Sequence, residues 1–313
     1  MLDFKPAITE ITEELIEFRH DLHAHPEGGY EERRTAARVA TELSKLPNLR
    51  ITAAIGGTGV MAVLNAHRGS PCVALRADLD ALPLEEKTGL PYASQTPGMM
   101  HACGHDGHTA CLVGAARVLH AFAEQLPGAV KFVFQPAEEG GAGARKMIEA
   151  GVLDGPRVDA AFALHGWPDL DLGRVAVAPG PVLAGARAFE VTMTGHGTHA
   201  AYPHKGSDVI LAALVNDAAC AELVAEVASE VVGSANVDRT GRPRMGAEDF
   251  AFFAQAVPSA WYRLGLRPAG VADMPPLHNP HFDFTDAAIP LGVHLHCALT
   301  YRFVTSPPVW KCG

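Results

Sequence analysis

The apolar positions Ile8, Ile11, Leu15, Phe18 and Leu22 recur at the spacing of one helix face, and His25-Pro26 ends the run. A second helix is predicted over 31–46. Short strand-like runs follow at 50–53, 60–64 and 72–75, the last apolar throughout, as in a strand covered on both faces. The pattern then alternates: a helix over 106–123, a strand over 130–135, a helix over 142–150 closed by Gly151, and a buried strand over 160–164. Such alternation predicts an α/β fold, a mixed and mostly parallel sheet between helices.

Further along, Phe189, Val191 and Met193 alternate as in a strand over 187–193. A loop rich in Gly and His, 195–204, leads to a helix capped by Ser207. Asn216 and Asp217 either cap a separate helix over 218–232 or lie inside one long helix from 207, because neither Gly nor Pro intervenes. A strand over 261–266, a loop over 275–283 and a closing helix over 285–303 complete the pattern.

Ligands of such sheets gather at the carboxyl ends of the strands. Three polar clusters stand just there: Arg76-Ala77-Asp78-Leu79-Asp80, Glu138-Glu139 and His165. A fourth, between strand and helix, packs His101, Cys103, His105, Asp106 and His108 into eight positions. Thiolate and imidazole are preferred ligands of borderline-soft divalent metals, and Cys103 and His105 sit two apart, on one side of an extended segment. Gly104 and Gly107 let the backbone bend around an ion.

Cys103, His105, Glu139, His165 and His278 together make five ligands, suited to two divalent ions that share a thiolate. Adjacent carboxylates in an extended segment diverge, so Glu139 is assigned as ligand and Glu138 as the general base. Asp78 and Asp80 share a face. They either orient ligand histidines through the ring N–H or pair, buried, with Arg76.

The net charge of -10 argues against a nucleic-acid partner, which needs a cationic face. The acidic, amphipathic N-terminus does not read as a secretion signal, and no apolar run approaches the roughly 18 residues of a membrane span. Six scattered cysteines, Cys312 among them, suit reduced thiols in a cytoplasm.

Residues 19–27 (RHDLHAHPE), 76–83 (RADLDALP), 101–106, 135–140, 164–165, 197–204, 245–250 and 277–284 resemble, in order, the aminoacylase and carboxypeptidase-like family of dinuclear metallohydrolases. Within it they look most like the branch of hippurate and auxin-conjugate hydrolases. The resemblance implies two divalent ions (Zn, Mn, Co or Ni), Cys103 as bridging ligand, and a metal-bridging hydroxide generated with Glu138 as base. It also implies cleavage of small N-acyl amino acids, and a lid histidine, matched by His199, that reaches a partner subunit's site to hold the oxyanion. The implied organisation is a catalytic domain in two parts, 1–185 and 216–313, around a lid that pairs subunits.

Here the lid is reduced to 186–215, too little for an independent core, so the family's homodimer is not expected to carry over. Ala247 stands where the family usually has Ser, and no cation for a substrate carboxylate stands out. Two alternatives follow: a metal-binding relative with weak or no turnover, or a dipeptidase or N-acetyl-diaminopimelate deacetylase built on the same site.

Overall fold

Strand β3 (Cys72–Asp78) is buried at all seven of its residues, and the sheet is built outward from it. The structure is a computed structural model and describes residues 2–184, 213–240 and 243–308. The main sheet also contains β1 (Arg50–Ile55), β2 (Gly59–Leu64), β4 (Ala129–Gln135), β5 (Ala160–Asp171), β6 (Val175–Ala176), β9 (Val237–Asp238) and β11 (Ser259–Arg267). Its order is β1-β2-β4-β3-β5-β11-β6-β9. Four of its seven neighbouring pairs are parallel, which makes it mixed and mostly parallel, as the sequence predicts. A second sheet joins β7 (Gly180–Ala184), β8 (Ala213–Asn216) and β10 (Arg244–Ala247), with β7 and β8 antiparallel.

Alternation along the central strands feeds two cores. Val73, Leu75 and Ala77 face the side packed by α1 (Lys5–Ala24), α3 (His105–Ala121) and α7 (Ile289–Thr305). Cys72 and Ala74 face the other, with Met147 of α4 (Gly143–Glu149), Phe253 of α6 (Ala251–Ala256), and Trp261. Each large apolar side chain buried here contributes about 1.5–3 kcal/mol, so the strands are held firmly enough to carry polar groups at their ends. Those groups, Arg76, Gln135 and His165, fall at the parity of the second face.

Helices α1, α2 (Arg33–Ser44), α3, α4 and α7 cover the predicted segments, with ends shifted by a few residues. Three differences matter. Strand β5 does not stop at Leu164 but runs to Asp171, so His165 lies within a strand. Its pairing with β3 ends at Arg76–Ala163, which leaves His165 beyond the neighbour's reach and open to the site.

Asp217 caps α5 (Ala218–Val232), accepting from Ala219 N and Cys220 N at 2.9 Å, and β8 precedes it; the long helix is excluded. The short strands β6 to β10 and the short helix α6 have no counterpart in the sequence reading, because pairing rather than periodicity makes them. The readings on 187–193, 195–204, Ser207, His199 and Cys312 lie outside the described residues. Among the described residues, no helix is long and apolar enough to cross a membrane.

Candidate metal centre

The ring nitrogens of two histidines are fixed by backbone carbonyls, which can only accept. His105, first residue of α3, donates from Nδ1 to the Asp80 carbonyl at 2.7 Å. Its Nε2 is buried and has no hydrogen-bond partner among the described residues. His165 likewise donates from Nδ1 to the Gly166 carbonyl at 2.8 Å and turns Nε2 toward Cys103 Sγ, 3.5 Å away. On the other side of the thiol, His278 Nε2 lies 3.0 Å from Glu139 Oε1. The five expected ligands thus meet as two triads, Cys103–His105–His165 and Cys103–Glu139–His278, the ligand atoms of each within 4.8 Å of one another. Cys103 belongs to both.

Backbone in the left-handed region presents several of these groups. Gly104, at φ +86°, turns the chain into α3, and Ala137 (φ +49°) and His278 (φ +61°) adopt the same region at a steric cost that non-glycine residues rarely bear. Ala137 is held by Gly141, where a Cβ would sit 2.5 Å from the Ala137 methyl. Beyond it, the Asp80 carboxylate accepts from Glu138 N and Glu139 N, both at 3.0 Å, and so presents the two glutamates to the centre.

This arrangement differs from the expectation for Asp80: its carbonyl takes the closest bond from His105, while its carboxylate serves the glutamate backbone. Asp78 makes the buried pair with Arg76 that the sequence left open, while the ring N–H it accepts belongs to His108, outside the expected ligand set. It pairs with Arg76 Nη1 at 2.7 Å, and it accepts from His108 Nδ1 at 2.7 Å, with His105 Nε2 3.7 Å away. His108 in turn accepts from Gly166 N at 2.8 Å, tying α3 to the strand that carries His165. Its place three residues after His105, on the same helix face, was the available signal.

Arg76 is the hub of the second face. It binds Asp78, Glu248 (3.0 Å) and Asp249 (3.1 Å), and its Nε donates to Gln135 at 2.8 Å. Asp249 also receives Ala144 N, and its own N–H donates to Glu138 Oε1 at 3.2 Å. The segment 245–250 is therefore bolted to the centre through Glu248 and Asp249.

Burial, and after it the nearby Glu248 and Asp249, push the Glu138 carboxyl well above its usual range. A carboxyl so raised suits proton transfer near neutral pH. His278 is pushed up to about 10, first by its hydrogen bond with Cys103 and then by Glu139.

The donor set fits divalent cations. It combines one thiol, three imidazoles and a carboxylate, with the His165 Nε2 turned toward the thiol and the His105 Nε2 buried without a hydrogen-bond partner among the described residues. Beside it opens a cavity of about 300 Å³, walled by Cys103, Glu138, Glu139, Trp167, Trp261 and Leu277.

Residues 74–302 match the model of peptidase family M20/M25/M40. The chain belongs to this family. The IAA-amino acid hydrolase ILR1-like 4 of Arabidopsis thaliana is 31% identical over 381 aligned positions, covering 93% of this chain and 86% of that one. The N-acetyl-L-cysteine deacetylase of Bacillus subtilis (strain 168) is 47% identical over 206 residues, 66% of this chain and 49% of that protein. The chain thus spans about half the length of the first curated relatives it matches.

Among solved structures, the Bacillus subtilis YXEP protein, described as a dinuclear metal-binding peptidase of the M20 family, superposes with a TM-score of 0.80. Its identity is 28%, and the match covers 95% of this chain and 99% of that one. The M20 fold, a mixed sheet flanked by helices, agrees with the architecture described above.

Proposed function

We propose that this chain hydrolyses the amide bond of N-acyl amino acids, with Cys103, His105, Glu139, His165 and His278 holding two divalent ions. The observation that carries the reading is the buried Glu138 carboxyl, on the wall of the cavity and within 4.8 Å of ligand atoms of His105 and Glu139, so that it can reach water held between the two triads. Bound ions, Zn, Mn, Co or Ni, would supply Lewis acidity toward the acyl carbonyl and a lowered pKa for water. Glu138 takes the proton of the attacking water and returns it to the leaving amine. Asp80 keeps Glu138 and Glu139 in place through their backbone N–H groups, and His199 is assigned to hold the oxyanion.

Trp167 and Trp261, on the cavity wall, favour an aryl or other flat acyl group, in keeping with a hippurate-like substrate, while the relatives named above act on an N-acetyl amino acid and on IAA-amino acid conjugates. The antiparallel pairing of β7 with β8 sets position 184 beside position 213, near the two ends of the 186–215 lid remnant, which supports treating 1–185 and 216–313 as two parts of one catalytic domain. The five described cysteines are all unbridged, which accords with a cytoplasmic setting.

The test is a panel of N-acetyl, N-benzoyl and indole-acetyl amino acids incubated with metal-loaded protein, the freed amino acid being quantified. Release that EDTA abolishes is expected. No release from any of them would contradict the amidase and favour a silent metal-binding relative. That second reading is motivated by the alignment to the Arabidopsis protein, which at 381 positions exceeds the 313 residues of this chain.

A further inference from the structure

Arg19 lies on α1 between Leu15 and Leu22 of the apolar stripe and is completely buried. A guanidinium costs too much to bury without several partners, so what it binds indicates why it is there. Its Nε donates to Asp106 Oδ2 at 2.7 Å, Nη1 to Asp286 Oδ1 at 2.8 Å, and Nη2 to Asp283. Asp106 follows His105 on α3. Asp283 and Asp286 follow His278 in the loop that closes the second triad. One side chain therefore spans the two segments that bring ligands to Cys103 from opposite sides.

Close to the ligand the loop is tied to the fold by the backbone, the Lys87 N–H donating to the Pro280 carbonyl at 2.8 Å. The His278 side chain is about half exposed, at 52%, and its backbone is in the left-handed region, with one hydrogen bond from its N–H to the Ala102 carbonyl at 2.8 Å. The firm anchor comes later, where Phe282 and Phe284 are buried on either side of Asp283. The Phe284 ring occupies the place a Cβ on Gly107 would take, 2.4 Å away. Tyr92 adds a hydrogen bond from its hydroxyl to Asp283 Oδ2 at 2.9 Å. By contrast His105 and His165 are buried and each is held by a carbonyl of its own.

We propose that Arg19 is a positioning residue for one half of the centre: through Asp283 and Asp286 it holds the 278–286 segment against α3, so that His278 meets Cys103 and Glu139. The inference rests on the dinuclear reading above. It assigns Arg19 an effect on the cation bound by Cys103, Glu139 and His278, and none on the one bound by Cys103, His105 and His165.

The experiment is stepwise Co(II) titration of the metal-free full chain, read by visible absorption and by metal content. Wild type is compared with Arg19→Lys, Asp283→Ala, His278→Ala and the Asp283→Ala/His278→Ala double variant, with circular dichroism to check folding. Asp283 is at the surface edge of the network, so its truncation tests the inference even if the Arg19 variant does not fold. Expected is a weakening of one binding step by about tenfold or more, the range typical of lost outer contacts at metal sites. The same step should vanish in His278→Ala, with no further loss in the double variant.

Two ions in wild type, with both steps unchanged or equally weakened in Asp283→Ala, would overturn the inference alone. Fewer than two ions in wild type would overturn the dinuclear reading and the inference with it.

Discussion

Glu138→Gln separates chemistry from architecture. Glutamine keeps the length of the side chain, and its amide oxygen can go on accepting from Asp249 N, the one hydrogen bond Glu138 makes through its carboxylate to described residues. What it loses is the ability to take a proton. General-base catalysis contributes about 10²- to 10⁴-fold, so kcat/KM for an N-acyl amino acid should fall by that factor, about 3–5 kcal/mol on the barrier. The fold should gain rather than lose.

The gain has a definite pH dependence. The Glu138 carboxyl is raised in the folded state by burial, then by Glu248 and Asp249, so the native chain holds this proton more tightly than the unfolded one. Relative to Gln, the wild-type chain is unpenalised below the unfolded pKa of about 4.3 and loses stability as pH rises above it. Metal-free Glu138→Gln should therefore be the more stable of the two at pH 8 and show little advantage at pH 4. The assay pairs kcat/KM with urea unfolding of EDTA-treated protein at both pH values. A rate loss smaller than about tenfold, or a variant less stable than wild type at pH 8, would refute the assignment.

Removing bound ions with EDTA should lower the thermal midpoint as well as activity, since each site filled at 100 times its Kd adds about 2.7 kcal/mol; calorimetry before and after re-addition checks this. Asp217→Ala should cost about 1 kcal/mol through the lost cap of α5 and leave kcat/KM unchanged, read by denaturant midpoints beside kinetics. His23 is buried, which alone would depress it, yet Asp106 beside it pushes it up to about 9. Its contribution is complete below about pH 6.5 and is lost as pH rises through about 9. Urea unfolding at pH 6 and pH 9.5 should show a fall in wild type that His23→Gln lacks.

Much of this was legible in the sequence. Long periodic segments such as α1, α3 and α7, and the uniformly apolar β3, declare themselves because burial forces their pattern. Four of the five candidate ligands stood out because each follows or continues a central strand, or flanks a helix start, in a type no core position requires; His278, in a loop between Pro276 and Pro280, gained weight only from the set. What stayed hidden depends on three-dimensional partnership.

The strands β6 to β10 are too short to show a period and exist through their neighbours. Asp80 looked like an acid for a histidine, but its closest bond to His105 is made by its carbonyl, a choice no residue type reveals. Arg76 with Glu248 and Asp249 spans more than 170 positions of chain. Arg19 did leave a trace: it falls on the same helix stripe as Leu15 and Leu22, where a charged residue implies a buried partner.

Anomalous diffraction at the Zn edge, from crystals grown with the metal, tests the central claim most directly. Two peaks are expected, both about 2.3 Å from Cys103 Sγ, one about 2.0–2.1 Å from His105 and His165 nitrogens and the other near Glu139 and His278. A single peak, or ions lying away from Cys103, would contradict it.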